Sequence, residues 1–198
     1  MIYETLQILQ EQLEKYFTEI GLGKIIILEN IALWDSGTGD HAKVKDKVVM
    51  SLLNIDEETT LKNSPHFEIH NNKTEYKNPP VNVNLYILIS GNCDSYDKSL
   101  RSISKVIEFF QGKKVFTSGN TVYKRNNPSF DVLDHFKFNL DLYTPTFEQL
   151  NNIWGTFGGR QLPSVIYKVQ LINIERDKKL AESQVITHVG GELNDMQQ

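Results

Sequence analysis

The 198-residue chain has one cysteine, Cys93, so an internal disulfide framework is excluded. Long apolar runs are also missing. The longest is Leu85-Tyr86-Ile87-Leu88-Ile89, far short of the roughly 18 to 20 residues that span a bilayer as a helix. Neither a basic start nor an apolar block marks Met1-Ile2-Tyr3-Glu4-Thr5, so no secretory signal is expected and a cytoplasmic location follows. There is no excess of positive charge: 21 Lys and Arg stand against 25 Asp and Glu, a net charge of −4. That balance argues against a protein that lives on a nucleic-acid backbone. Internal repeats, low-complexity tracts and linkers are absent too. With 39% hydrophobic and 10% aromatic residues, the chain can build a core and is not intrinsically disordered. Its length suits one domain, expected over 1–190, with 191–198 as a flexible tail.

Catalytic signatures are equally scarce. The phosphate-cradling G-x-x-x-x-G-K-[ST] pattern is absent, as are the G-x-S-x-G elbow and H-E-x-x-H. Gly21-x-Gly23 and Gly37-x-Gly39 are fragments that read as turn glycines.

What is present is a run of amphipathic segments. Ile2, Leu6, Leu9, Leu13, Tyr16, Phe17 and Ile20 recur at helical spacing, and Gly21 and Gly23 stop that helix. Residues 24–34 read as a strand with a β-branched run at Ile25-Ile26-Ile27. Residues 35–40 read as a loop. Residues 46–63 read as a strand that turns through Asp56-Glu57-Glu58. Its two faces, Val49, Ser51, Leu53 and Ile55 against Val48, Met50, Leu52 and Asn54, suit a central position. The polar stretch 64–80 reads as an exposed loop or weak hairpin, and 81–90 as the strongest strand.

Asp94 or Ser95 can cap a helix running to about Gln111. Leu100, Ile103, Val106, Ile107 and Phe110 are its buried stripe and Gly112 its C′ residue. Residues 114–116 read as a short strand. Alternation over 133–142 puts Leu133, Phe136, Phe138, Leu140 and Leu142 mostly on one face. Thr146-x-x-Gln149 is a capping box for a helix to Phe157, with Phe147, Leu150, Trp154 and Phe157 on one face and Gly158-Gly159 ending it. Strands are expected at 165–174 and 185–189. The fold class is therefore α+β, with a mixed or mainly antiparallel sheet packed against two to three helices.

One grouping has metal-like spacing. In a strand, His66, Glu68 and His70 share a face, and two imidazoles with a carboxylate suit zinc. A site built on them would imply a metal-dependent hydrolase, but it needs convergent ligands and an outer shell. The solvent face of an edge strand is the simpler account. Cys93 precedes a helix, where a thiolate would be favoured; like the Asp134-His135 pair, it reads more simply as incidental. Asn72-Lys73-Thr74 matches a glycosylation acceptor, without a signal peptide to deliver it to a glycosylating compartment.

Charge is unevenly spread. Residues 1–97 carry a net −7, residues 98–125 a net +6 and residues 126–198 a net −3. The basic block holds Lys98, Arg101, Lys105, Lys113, Lys114, Lys124 and Arg125. It reads either as a solvated helix face or as a patch for a partner, which could be nucleic acid or an acidic face on a neighbouring subunit. Separate acidic and basic faces suit head-to-tail contacts between subunits.

Four segments together carry a resemblance. They are Asp46-Lys-Val-Val-Met-Ser-Leu-Leu-Asn-Ile-Asp-Glu-Glu-Thr-Thr-Leu-Lys-Asn63, Pro80-Val-Asn-Val-Asn-Leu-Tyr86, Ile107-Glu-Phe-Phe-Gln111 with Val115-Phe116, and Trp154-Gly-Thr-Phe-Gly-Gly159 with Pro163-Ser-Val-Ile-Tyr-Lys168. In order and spacing the chain resembles the small cap, or tail-terminator, proteins of contractile phage-tail-like injection systems, over nearly its whole length. The resemblance implies an α+β subunit of a homo-oligomeric ring, six-fold, on the end of the inner tube. That ring would engage the last sheath layer, so the implied partners are itself, tube and sheath, with no membrane and no nucleic acid. It implies no enzyme activity, cofactor, metal or catalytic residue, and the added domain of longer relatives is expected to be missing here. The matching Leu85, Tyr86, Phe109, Phe110, Trp154, Pro163 and Tyr167 read as fold-defining core. The basic block and the stretch 64–80 are the candidate interface.

Overall fold

The computed structural model describes residues 1–35, 41–58, 67–70, 73–76, 78, 81–122, 136–174 and 181–184. The chain opens with helix α1 (Ile2–Glu19), strand β1 (Ile26–Leu28), a 3-10 turn (Ile31–Asp35), a four-residue helix α2 (His41–Val44) and strand β2 (Lys47–Glu57). Strands β3 (Phe67–His70), β4 (Lys73–Tyr76) and β5 (Val81–Asn92) lead to helix α3 (Tyr96–Gly112). Strands β6 (Val115–Thr117) and β7 (Lys137–Tyr143), helix α4 (Phe147–Thr156), and strands β8 (Ser164–Ile174) and β9 (Ala181–Gln184) follow.

Six strands form one sheet in the order β1-β2-β5-β8-β7-β6. β1 runs parallel to β2, and every other pair is antiparallel. A second sheet, β3-β4-β9, is wholly antiparallel. The architecture is α+β with a mixed sheet, as the segment pattern implies.

β5 shows why the sheet needs cover on both sides. Val83, Leu85, Ile87 and Ile89 point to one face and pack with Leu9, Leu13 and Phe17 of α1 and Val106 and Phe110 of α3. Leu88 points the other way, into a second cluster with Ile31, Val44, Val49, Trp154 and Ile166. Alternation in a strand forces this division. Two helices thus cover one face, while α4, α2 and the 3-10 turn cover the other.

Several local features stop or steer these elements. Gly21 and Gly23 take φ of +81° and +74°, and Gly158 and Gly159 take +97° and +80°, ending α1 and α4 in conformations that side chains resist. Ser95 Oγ accepts the Lys98 N–H at the start of α3. The capping box of α4 is complete: Thr146 Oγ1 accepts the Gln149 N–H (3.2 Å) and Gln149 Oε1 accepts the Thr146 N–H (2.9 Å).

The structure corrects several sequence expectations. The strand expected over 24–34 is only three residues long. Ser51 Oγ–H donates to the Glu29 carbonyl (2.6 Å) and accepts the Ile31 N–H (3.0 Å), while Asn30 Oδ1 accepts the Ala32 N–H. These side chains turn the backbone out of the ladder. Gly112 is the last residue of α3 and not a left-handed C′ residue; Lys113, extended at φ −137°, leads directly into β6. Within stretch 64–80 the hairpin alternative holds: β3 and β4 pair antiparallel, and β9 extends them. Residues 36–40, 133–135 and 185–189, and the tail expected at 191–198, lie outside the described residues.

The aromatic cluster on the α3 side sets an energetic expectation. Phe110 is buried, with ring centroids 4.9 Å from Tyr167, 5.0 Å from Phe109 and 6.3 Å from Phe116. Truncating such a side chain loses transfer energy and leaves a cavity. Phe110→Ala should cost about 3–5 kcal/mol in urea unfolding, whereas loss of the α4 cap in Thr146→Ala should cost about 1 kcal/mol.

Candidate assembly interface

The helix α3 carries two different exposed flanks. Ser99, Ser102, Ile103, Val106 and Phe110 face the sheet. Leu100 and Ile107, expected in that stripe, are exposed, because they lie at its edge and turn toward a groove. The groove, about 1070 Å³, runs between α3 and the connection from β7 to α4. Tyr96, Leu100 and Ile107 form one wall, with Leu142 and Phe147 opposite. Tyr96 is 68% exposed and Phe147 92% exposed. Phe147, expected on the buried face of α4, sits in the first turn of that helix and lines the groove; Trp154, two turns later, is buried. Leu142 is likewise exposed where β7 leaves the core. Five large apolar side chains in one place form a contiguous patch of the kind that marks an interaction site.

The other flank of α3 carries the basic residues, and much of their charge is engaged inside the chain. Lys98 Nζ lies 2.5 Å from Asp46 Oδ1. Asp46, held in a left-handed turn at φ +52°, has its carboxyl lowered below the usual range by that hydrogen bond, and Lys98 is raised by the same contact. Lys105 Nζ lies 2.6 Å from Glu108 Oε2, whose other oxygen accepts the Tyr16 hydroxyl at 2.9 Å. Lys113 Nζ donates to Gln12 Oε1 (3.1 Å) and the Asn120 carbonyl (3.2 Å) and sits 4.9 Å above the Phe116 ring. Burial, then the charge of Lys15, lowers its pKa. Arg101 and Lys114 are exposed. Lys124 and Arg125 lie outside the described residues.

The residues matched by the family resemblance divide by burial. Leu85, Phe110, Trp154 and Tyr167 are buried, and burial pushes the Tyr167 hydroxyl up to about 12. Tyr86, Phe109 and Pro163 are half-buried. Pro163 sits directly before β8, where its carbonyl accepts the Gly91 N–H.

Burial pushes the Cys93 thiol up, and the hydroxyls of Ser102 and Ser99 only partly offset it. At the start of α3 the thiol form of Cys93 is therefore favoured over the thiolate. Glu68 and His70 lie in β3, in register with Glu75 and Lys73; His66 and the Asp134-His135 pair lie outside the described residues. Among the described residues, no group of three His, Cys, Asp or Glu side chains is placed to hold a metal ion. None of the described helices is long and apolar enough to cross a membrane.

With this geometry in view, comparison with known proteins is decisive for the family. The model of the Pvc16 N-terminal domain matches residues 4–188. The chain belongs to the Pvc16 N-terminal domain family. Two solved structures share the fold of this Pvc16-type domain. One is the PVC sheath/tube terminator of an extracellular contractile injection system in its extended state, with a TM-score of 0.64 at 14% identity over 100% of this chain. The other is the tube-terminating cap of the anti-feeding prophage, with a TM-score of 0.64 at 15% identity over 98%. The chain spans 64% and 62% of the length of those two chains. No curated protein matches it.

The Asp46–Lys98 pair allows a pH test. The folded-state value of Asp46 lies below its unfolded value. Its contribution is therefore complete above the unfolded value and is lost as pH falls through the folded one. Both side chains are partly exposed, so solvent screening keeps the contribution to about 0.2–1 kcal/mol. Asn suits the same left-handed backbone, so Asp46→Asn should lower stability by that amount at pH 7. The gap should close near pH 2, as read by denaturant midpoints.

Proposed function

We propose that this chain is a structural cap, a tail terminator that assembles as a homo-oligomeric ring of six copies on the end of the inner tube of a contractile injection system. There it engages the last sheath layer and ends the growth of tube and sheath. The observation that carries this reading is the fold: a Pvc16-type domain matching almost the whole chain, shared with the terminators of two injection particles. On this reading the protein acts by surface complementarity, without a cofactor, and works as part of an assembled phage-tail-like particle.

The groove supports a subunit contact. A ring closes through heterologous contacts, in which two different patches meet. The exposed Phe147, Tyr96 and Leu142 supply an apolar patch large enough to anchor one side. Arg101 and Lys114 are the members of the basic block best suited to meet an acidic neighbour, since Lys98, Lys105 and Lys113 are already engaged within the chain. The hydrolase alternative built on His66, Glu68 and His70 has no comparable support, since the family model and both solved structures point to terminators.

Native mass spectrometry, with negative-stain imaging alongside tube protein, tests the proposal. Rings of six copies seated on tube ends are the expected result, and a strict monomer that ignores tube and sheath would overturn it. Phe147→Asp should release monomers while leaving the melting temperature unchanged, because the ring is outside the core. The double charge reversal Arg101→Glu, Lys114→Glu should weaken ring assembly or tube attachment, with the loss greater at low salt.

A further inference from the structure

The two edges of the six-stranded sheet are finished differently. At the β6 edge, Leu140 N–H bonds the Lys114 carbonyl and Ser118 N–H bonds the Phe136 carbonyl. Alternation then turns the backbone groups of Val115 and Thr117 outward. The Asn120 side chain takes them: its Nδ2 donates to the Val115 carbonyl (3.0 Å) and its Oδ1 accepts the Thr117 N–H (2.9 Å). One amide side chain thus closes that edge against an added strand.

The opposite edge is not closed in this way among the described residues. β1 pairs with β2 only at Val48, Val49 and Met50. The Ser51 and Asn30 side chains then turn the chain away, and no described strand lies beside residues 52–56. The register shift between Leu52 and Asn54 marks a bulge there. Alongside lies a cleft of about 1010 Å³, with Leu52, Asn54 and Asp56 on one side and Gln149 and Asn152 of α4 on the other. Its floor includes Tyr86 and Tyr143, whose rings meet edge to face at 5.1 Å. The lining contains the carboxylates Glu29 and Asp56 and no Lys or Arg. Lys168 stands at its border, its ammonium 5.9 Å above the Tyr86 ring.

We propose that the β2 edge at residues 52–56, with the cleft beside it, takes an extended, lysine- or arginine-bearing segment of a partner protein as an added strand. Backbone groups of such an edge supply sequence-independent affinity, and the adjacent pocket supplies selectivity. The carboxylates set the sign of the guest. The same sign disfavours a second copy of this edge, since like charges would face each other. The chain's own edge strand β6, which follows Lys113 and Lys114, is held shut by Asn120. With both edges of this chain disfavoured as occupants, the guest is a different chain. This inference rests on the sheet edge alone and stands or falls separately from the cap reading.

The test uses the full chain and a blocked seven-residue peptide, Lys-Thr-Val-Lys-Val-Thr-Lys, with a glutamate-for-lysine version as control, at low salt. Hydrogen exchange is read segment by segment. The lysine peptide should slow exchange at residues 52–56 by about tenfold or more, and the glutamate peptide should not. Asp56→Lys should abolish the effect with an unchanged melting temperature. If that variant fails to fold, the contrast between the two peptides on the natural chain still decides. Absence of protection, equal protection by both peptides, or protection confined to residues 114–118 would overturn the proposal. Protection at 52–56 that rises with protein concentration without any peptide would also overturn it, by assigning the edge to a second copy.

Discussion

The two-sided burial of β5 is the constraint on which the rest of the structure depends. Leu85, Ile87 and Ile89 face one layer, and Leu88 faces the other, all fully buried. A strand apolar on both faces cannot sit at a sheet surface open to water; at about 25 cal/mol per Å² of apolar surface, exposing either side would be costly. Cover must therefore be found twice. α1 and α3 supply it on one side. α4, the 3-10 turn and the short α2 supply it on the other. The flanking strands β2 and β8 inherit the same division through their register with β5.

Among the described residues, cover on the second face is thin. One side is roofed by two long helices, while the other relies on a ten-residue helix and two short turns. Apolar residues emerge at the borders of both layers. Leu52 and Ile55 of β2 share the α1 and α3 face through their register with Ile87 and Leu85 and lie beyond the reach of β1, while Phe147 of α4 borders the groove beside α3. The exposed apolar surface is thus no scatter of surface leucines. It marks the places where the layered cover ends among the described residues.

The periodic signals in the sequence report the core and fall silent at its borders. Leu9, Leu13 and Phe17 recur at helical spacing and are buried, and the Thr146 and Gln149 pair gives its capping box directly. Failures occur where side-chain hydrogen bonds override propensity. Ile25-Ile26-Ile27 favours a long strand, but Ser51, more than twenty residues away in sequence, diverts the backbone after Leu28. Local spacing has no term for that contact. Leu100, Ile107 and Phe147 match the helical period of their buried neighbours, yet lie exposed. Periodicity tells which residues share a face; it cannot tell how far the covering sheet extends beneath them. The basic block shows the complementary limit, since counting charges does not reveal that Lys98, Lys105 and Lys113 already have partners inside the fold.

An identity of 14–15% to solved terminators with a TM-score of 0.64 follows from the same physics. Cores tolerate wide substitution when volume and patterning are kept, so the double-faced β5 and its covers can be rebuilt from many residue sets. Surfaces have no such requirement, and selectivity between partners is set there. In this chain the closed β6 edge, the acidic cleft at β2 and the apolar groove beside α3 are all surface devices. They differ in how they exclude or admit another chain: an amide that occupies the ladder, carboxylates that select charge, and aromatic surface that rewards burial. A fold that fixes only the interior leaves those three choices free, and they decide which neighbours the domain accepts.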